Sequence, residues 1–77
     1  MHPERIEVIP YSGYRDDERP MSFFVRREKI EVVEILDRWI EEGLEDRARK
    51  RFFRLKGSDS NIHLIYYDEK ASEWFSA

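Results

Sequence analysis

Residues 50–56 read KRFFRLK, residues 57–60 GSDS, and residues 61–67 NIHLIYY. Two runs of aromatic and β-branched residues flank a cluster of turn formers, which predicts a β-hairpin. With Gly57, Ser58, Asp59 and Ser60 as the loop, Lys56 faces Asn61 and the side chains alternate between two faces. Leu55 and Ile62, Phe53 and Leu64, and Arg51 and Tyr66 then share a mostly apolar face, expected to be the core side. Arg54 and His63, Phe52 and Ile65, and Lys50 and Tyr67 share the other, where cations interleave with aromatics. The assignment depends on register, since a slip of one residue exchanges the faces of one strand.

The chain outside this hairpin is short. Seventy-seven residues make one small domain, expected over residues 1–77 with 1–5 frayed. Such a chain buries only about 60–65 % of the surface its unfolded form exposes. It has no cysteine, so neither disulfides nor thiolate metal ligands hold it together, as in a reducing cytoplasm. No apolar run approaches the ~18 residues of a membrane span, and the first residues, MHPERIEV, lack the layout of a signal peptide. Eleven aromatic residues argue against disorder, although 40 % of the chain is charged. The net charge of −3 is unevenly spread. Residues 1–46 carry thirteen acids and seven bases; residues 47–77 carry four acids and seven bases.

In chain order, residues 6–11 (IEVIPY) alternate as a strand that Pro10 confines to an edge or ends. Residues 12–20 (SGYRDDERP) read as a loop. Residues 21–26 (MSFFVR) form a second strand with Met21, Phe23 and Val25 on one side, and residues 26–29 a tight turn without Asn-Gly or Asp-Gly. Residues 29–43 (KIEVVEILDRWIEEG) support two readings. Apolar residues at 32, 33, 36, 39 and 40 fit helical spacing, with Gly43 as a helix stop. Ile30, Val32, Val33 and Ile35 are β-branched and favour extended chain. The preferred expectation is a strand over 29–35 bending into a short helical turn over 36–42; a helix throughout is the alternative. Residues 44–49 are a charged connector, 68–72 a turn, and 73–75 a last short strand pairing back on the hairpin. The fold class is therefore all-β or β-rich α+β, a single small antiparallel barrel-like domain of five to six strands with one short helical turn.

The order YSGYR, ERP, an F-rich strand, EILDRW, RFFRL, a strand ending YYD and a final Trp resembles an uncharacterised family of small bacterial β-rich domains. Members stand alone or sit at the C-terminus of proteins similar to Y-family translesion polymerases. The resemblance spans residues 6–75 and rests on the spacing of Pro20, Phe23, Leu36, Trp39, Phe53 and Trp74. It implies a compact barrel-like domain and carries no activity or catalytic residues to transfer.

Catalytic readings are thin. A Ser-His-Asp arrangement would have to use His63, which reads instead as a surface or half-buried strand residue. Asp16, Asp17 and Glu18 lack the spacing of a calcium loop and read as a solvated cluster. No glycine loop cradles phosphate, so neither metal nor cofactor is expected, and the chain is not expected to be an enzyme. Trp39 and Trp74 are expected in the core, because so small a domain needs large apolar side chains.

The clearest functional signal is the basic run Arg47, Arg49, Lys50, Arg51, Arg54 and Lys56, which encloses Phe52 and Phe53. Cations that meet phosphates and rings that stack on bases are how small barrels hold single-stranded nucleic acid. The candidate surface is Lys50, Phe52, Arg54, Lys56, His63 and Tyr67. Against it stands a hairpin whose cations pair with the acidic half of the chain. The alternative function is a protein-interaction or self-association module acting through an exposed strand edge, suggested by Pro10 and the short final strand.

Overall fold

The computed structural model describes residues 3–10, 19–44 and 48–77. Six strands follow in order: β1 (Glu4–Pro10), β2 (Pro20–Val25), β3 (Glu28–Glu42), β4 (Arg49–Gly57), β5 (Ile62–Asp68) and β6 (Glu73–Ser76). Each pairs antiparallel with the next, and β6 returns to β1, closing a barrel. The described residues contain no helix, and none is long and apolar enough to cross a membrane. The loop expected over residues 12–20, with Asp16–Glu18, falls outside the described residues apart from Arg19 and Pro20, as does Arg47.

Closure corrects the expected edge at β1 and β6. The four-residue β6 is short but pairs on both sides, with Ile6 opposite Trp74 and Tyr67 opposite Trp74. Pro10 is accommodated because it is the last residue of β1, opposite Pro20 and after a register shift at Ile9.

The helical turn expected over residues 36–42 is absent: β3 is a single strand of 15 residues. Its register against β4 shifts between Val32 and Glu34 and again between Ile35 and Asp37. Val33 and Leu36 are thus the extra residues of two β-bulges, and both are exposed. Inward positions fall at Ile30, Val32 and Ile35. Each bulge stretches one two-residue step to three or leaves an apolar residue outside, so two bulged turns of strand imitate helical spacing.

The hairpin at residues 50–67 forms, but one residue out of the expected register. Lys56 faces Ile62, Phe53 faces Ile65 and Arg51 faces Tyr67. The cause is the loop. Ser60 donates its N–H to the Gly57 carbonyl (3.0 Å), and Gly57 donates to the Asn61 carbonyl (2.9 Å). Ser60 takes a left-handed φ of 68°. This is a three-residue loop, a type I turn followed by a left-handed residue, rather than a four-residue one. Ser58 ties it to β3: its N–H donates to the Glu31 carbonyl (2.8 Å), and its hydroxyl accepts from the Glu31 N–H (3.0 Å). The faces of β4 stand as expected, with Phe53 and Leu55 inward. Those of β5 are exchanged: His63, Ile65 and Tyr67 turn inward, and Ile62, Leu64 and Tyr66 turn out.

Phe23, Ile30, Phe53, Leu55 and Ile65 form the core, flanked by Ile6, Val8, Val25, Val32, Ile35 and Trp74. Trp74 therefore lines the core as expected, whereas Trp39 does not. Of the trio Met21, Phe23 and Val25, Phe23 is fully buried and Met21 is exposed. The β2–β3 turn is two residues long, with both Arg26 (φ 50°) and Arg27 (φ 72°) left-handed.

Candidate binding face

Alternation fixes what lies outside the barrel. Phe53 turns inward from β4, so Phe52 turns out, and the registers set its neighbours. Trp39 of β3 is opposite Phe52, Phe52 opposite Tyr66 of β5, and Tyr66 opposite Phe75 of β6. Four rings thus run in one row across four adjacent strands. Their centroids are 5.3 Å apart from Trp39 to Phe52, 4.9 Å to Tyr66 and 5.3 Å to Phe75. Trp39 and Phe52 are parallel to within 1°. Tyr66, in the middle, is only 7 % exposed although it points away from the core. Cross-strand aromatic pairs of this kind add about 0.5–1.5 kcal/mol each beyond their area burial.

Polar groups frame the row. The Trp39 Nε1–H donates to Glu41 Oε2 at 3.0 Å, and Lys50 Nζ lies 5.6 Å from the Tyr66 ring centre, a cation–π distance. Beyond Phe75 the next strand presents Arg5, which bonds Glu73 at 3.1 Å.

The charges around the row compensate. β3 carries six acids and two bases, β4 five bases and no acid. Their antiparallel register sets Glu34 opposite Lys56, Asp37 opposite Arg54, Glu41 opposite Lys50 and Glu42 opposite Arg49. The asymmetry between the halves of the chain is thereby folded into one ladder. Opposite charges across strands are favourable, and each of these four bases of β4 has an acid of β3 opposite it.

Of the residues expected to form a nucleic-acid surface, Lys50, Phe52, Arg54 and Lys56 share this outer face. His63 and Tyr67 do not, because β5 is one residue out of the expected register. Tyr67 turns inward beside Trp74, centroids 5.2 Å apart. His63 packs edge-on against core Phe23 at 5.1 Å, and its Nε2 meets Asp59 Oδ2 at 2.9 Å and Oδ1 at 3.2 Å. The Asp59 carboxyl is held below its ordinary value. Desolvation, the largest influence, acts in the opposite direction. It is outweighed together by the Asn61 N–H, the bond to His63, the Asn61 side-chain amide and the charge of His63. Arg51, also inward, bonds Glu69 at 2.9 Å. Among the described residues, no group of three or more histidines and acids is arranged to hold a metal ion.

Trp39, Tyr66 and Phe75 were missing from the expected surface. In the sequence, the apolar residues around Trp39 point it to the core, and a four-residue hairpin loop points Tyr66 there. Alternation from Phe53 was the available signal, but it required the bulges and the loop length. Comparison with protein-family models, curated proteins and solved structures found no match to this chain.

Proposed function

We propose that this chain is a non-catalytic binding module that docks a protein partner on the outer aromatic row. The observation that carries this reading is the row itself: Trp39, Phe52, Tyr66 and Phe75 on the solvent side of a closed barrel, amid charges that compensate. Aromatic residues enriched in a patch poor in net charge are the composition of protein-interface cores.

The spacing of the rings weighs against bases as the main ligand. Stacked bases rise about 3.4 Å, so a base slotted between two rings needs them about 7 Å apart. The rings of the row are 4.9–5.3 Å apart and already occupy one another's faces. A second reading, single-stranded nucleic acid, is favoured by one observation: Lys50, Phe52, Arg54 and Lys56 share the outer face. In that reading a base stacks on an end of the row and the cations meet phosphates.

The test is photocrosslinking in native cells with a benzophenone side chain at Phe75, on the row, and at Lys29, away from it. A discrete protein adduct at position 75 and none at 29 is the expected result. A nuclease-sensitive adduct at 75 supports nucleic acid instead. Equal adducts at both positions, or none, end both readings.

A further inference from the structure

Tyr66 stands in the middle of the aromatic row and is 7 % exposed, the most buried of its four rings. A buried tyrosine usually gives its hydroxyl a partner. Among the described residues, nothing bonds the Tyr66 hydroxyl, and no buried side-chain oxygen or nitrogen lacks a partner. The hydroxyl therefore lies at the solvent end of the ring. The other polar atom of the row, Trp39 Nε1, already donates to Glu41 Oε2 at 3.0 Å. The row thus presents one uncommitted hydrogen-bonding group, at its centre, to whatever covers it.

We propose that the row docks a proline-rich segment in the polyproline II conformation, laid across the strands, with a basic residue at the Trp39 end. The proposal rests on the reading of the row as a protein-docking face and names the class of segment. Phe52, Tyr66 and Phe75 sit on three adjacent strands. Strands lie about 4.8 Å apart, so those carrying Phe52 and Phe75 are about 9.6 Å apart. A polyproline II helix turns every three residues and rises about 3.1 Å at each, which sets prolines three apart at about 9.3 Å. Two such prolines meet Phe52 and Phe75, and a carbonyl between them accepts from the Tyr66 hydroxyl.

Other backbones fail one of these conditions. An α-helix spends its carbonyls on its own hydrogen bonds. A β-strand has free carbonyls, but its same-face side chains repeat at about 6.4–6.8 Å, which fits neither one strand spacing nor two. Polyproline II leaves every carbonyl free and is preformed, so docking on a shallow face costs little ordering. Charge places the basic residue. At the Phe75 end, Glu73 is bonded by Arg5 at 3.1 Å. At the Trp39 end, Glu41 bonds only the indole among the described residues. A cation there meets the Glu41 carboxylate beside an aromatic ring.

The experiment is selection of binders to the full chain from a displayed library of random decapeptides, followed by fluorescence anisotropy of the labelled peptides. The expected binders carry prolines three apart and a basic residue beside them. Tyr66→Phe keeps the ring and should weaken binding about 2- to 10-fold, the loss of one hydrogen bond. Phe75→Ala should abolish binding, with circular dichroism verifying the fold of both variants, and Lys29→Ala, away from the row, should change nothing. Binders without that proline spacing that still require Phe75 overturn this proposal and leave protein docking on the row standing. Binders indifferent to Phe75→Ala place docking elsewhere and overturn both. Proline-bearing binders indifferent to Tyr66→Phe, or no binders at all, also overturn the proposal, and the adduct at position 75 then decides docking on its own.

Discussion

Trp39 lies flat against Phe52, centroids 5.3 Å apart and planes 1° from parallel, on the outside of the barrel. One side chain inward of that pair, Phe53 is buried in the core. Two adjacent residues of β4 therefore belong to different systems, one holding the fold together and the other forming its surface.

Substitution should separate the two. Phe53→Ala removes a core ring and is expected to cost about 3–5 kcal/mol. Trp39→Ala removes a half-buried ring at the end of a surface row and should cost about 1–2 kcal/mol. Urea unfolding of both variants checks the order. A larger loss at Trp39 would return it to the core.

Gly57 is buried where β4 approaches β3. A Cβ there would stand 2.6 Å from Ile30 Cγ2 and 2.6 Å from Asp59 Oδ1. Gly57→Ala is expected to destabilise by about 1–3 kcal/mol, as overpacking does. Ile30→Val keeps Cγ2, so the remedy is Ile30→Ala. In a double-mutant cycle, the combined loss should fall below the sum of the single losses. Strict additivity would place the strain elsewhere.

The β2–β3 turn holds two arginines at left-handed φ, each costing about 1–2 kcal/mol relative to a residue that tolerates it. Both central positions of a type I′ turn favour Asn-Gly. Replacing Arg26→Asn and Arg27→Gly together should stabilise the domain by about 1–2 kcal/mol. Thermal melting gives the reading, with Tm rising about 4–8 °C per kcal/mol for a domain of this size. A fall in Tm would mean that the arginine side chains contribute more than their backbone strain removes.

Asp59 sets part of the acid limit. Its carboxyl titrates below the ordinary 3.8 when folded, so it binds its proton more weakly in the folded than in the unfolded chain. The stability it contributes is present above that ordinary value and is lost as pH falls through the lower, folded value. Asp59→Asn should therefore lower stability at neutral pH and flatten the decline below pH 3.8. Urea midpoints measured along an acid series decide it, and a decline parallel to that of the wild type would remove Asp59 as a contributor.

For the nucleic-acid reading, three phosphate contacts at ~0.7 each give a salt slope near −2 on a single strand. Fluorescence anisotropy of a labelled single strand at low and moderate salt, with Phe52→Ala and Arg54→Ala, measures it. Binding that weakens with both substitutions supports that reading. Binding indifferent to both leaves the protein-partner reading alone.

An antiparallel barrel-like fold of five to six strands was legible because the strands rest on local signals. IEVIPY, MSFFV, the two halves of the hairpin and the final EWF alternate or concentrate β-forming residues, and proline and glycine punctuate them. A cysteine-free chain of 77 residues with that pattern has few ways to bury its apolar side chains other than a small antiparallel barrel. The inward faces of β4 followed from Phe53 and Leu55 alone. What required the tertiary structure were the quantities that count single residues between strands. Ser60 at left-handed φ shortens the loop by one and turns Tyr66 from core to surface. Bulges at Val33 and Leu36 move Trp39 from an apparent helix to the outer row. Side chains alternate with a period of two, so one residue gained or lost reverses a face. Whether that residue is gained is decided by hydrogen bonds between segments far apart in the chain, such as Ser58 to Glu31, and no local pattern encodes them.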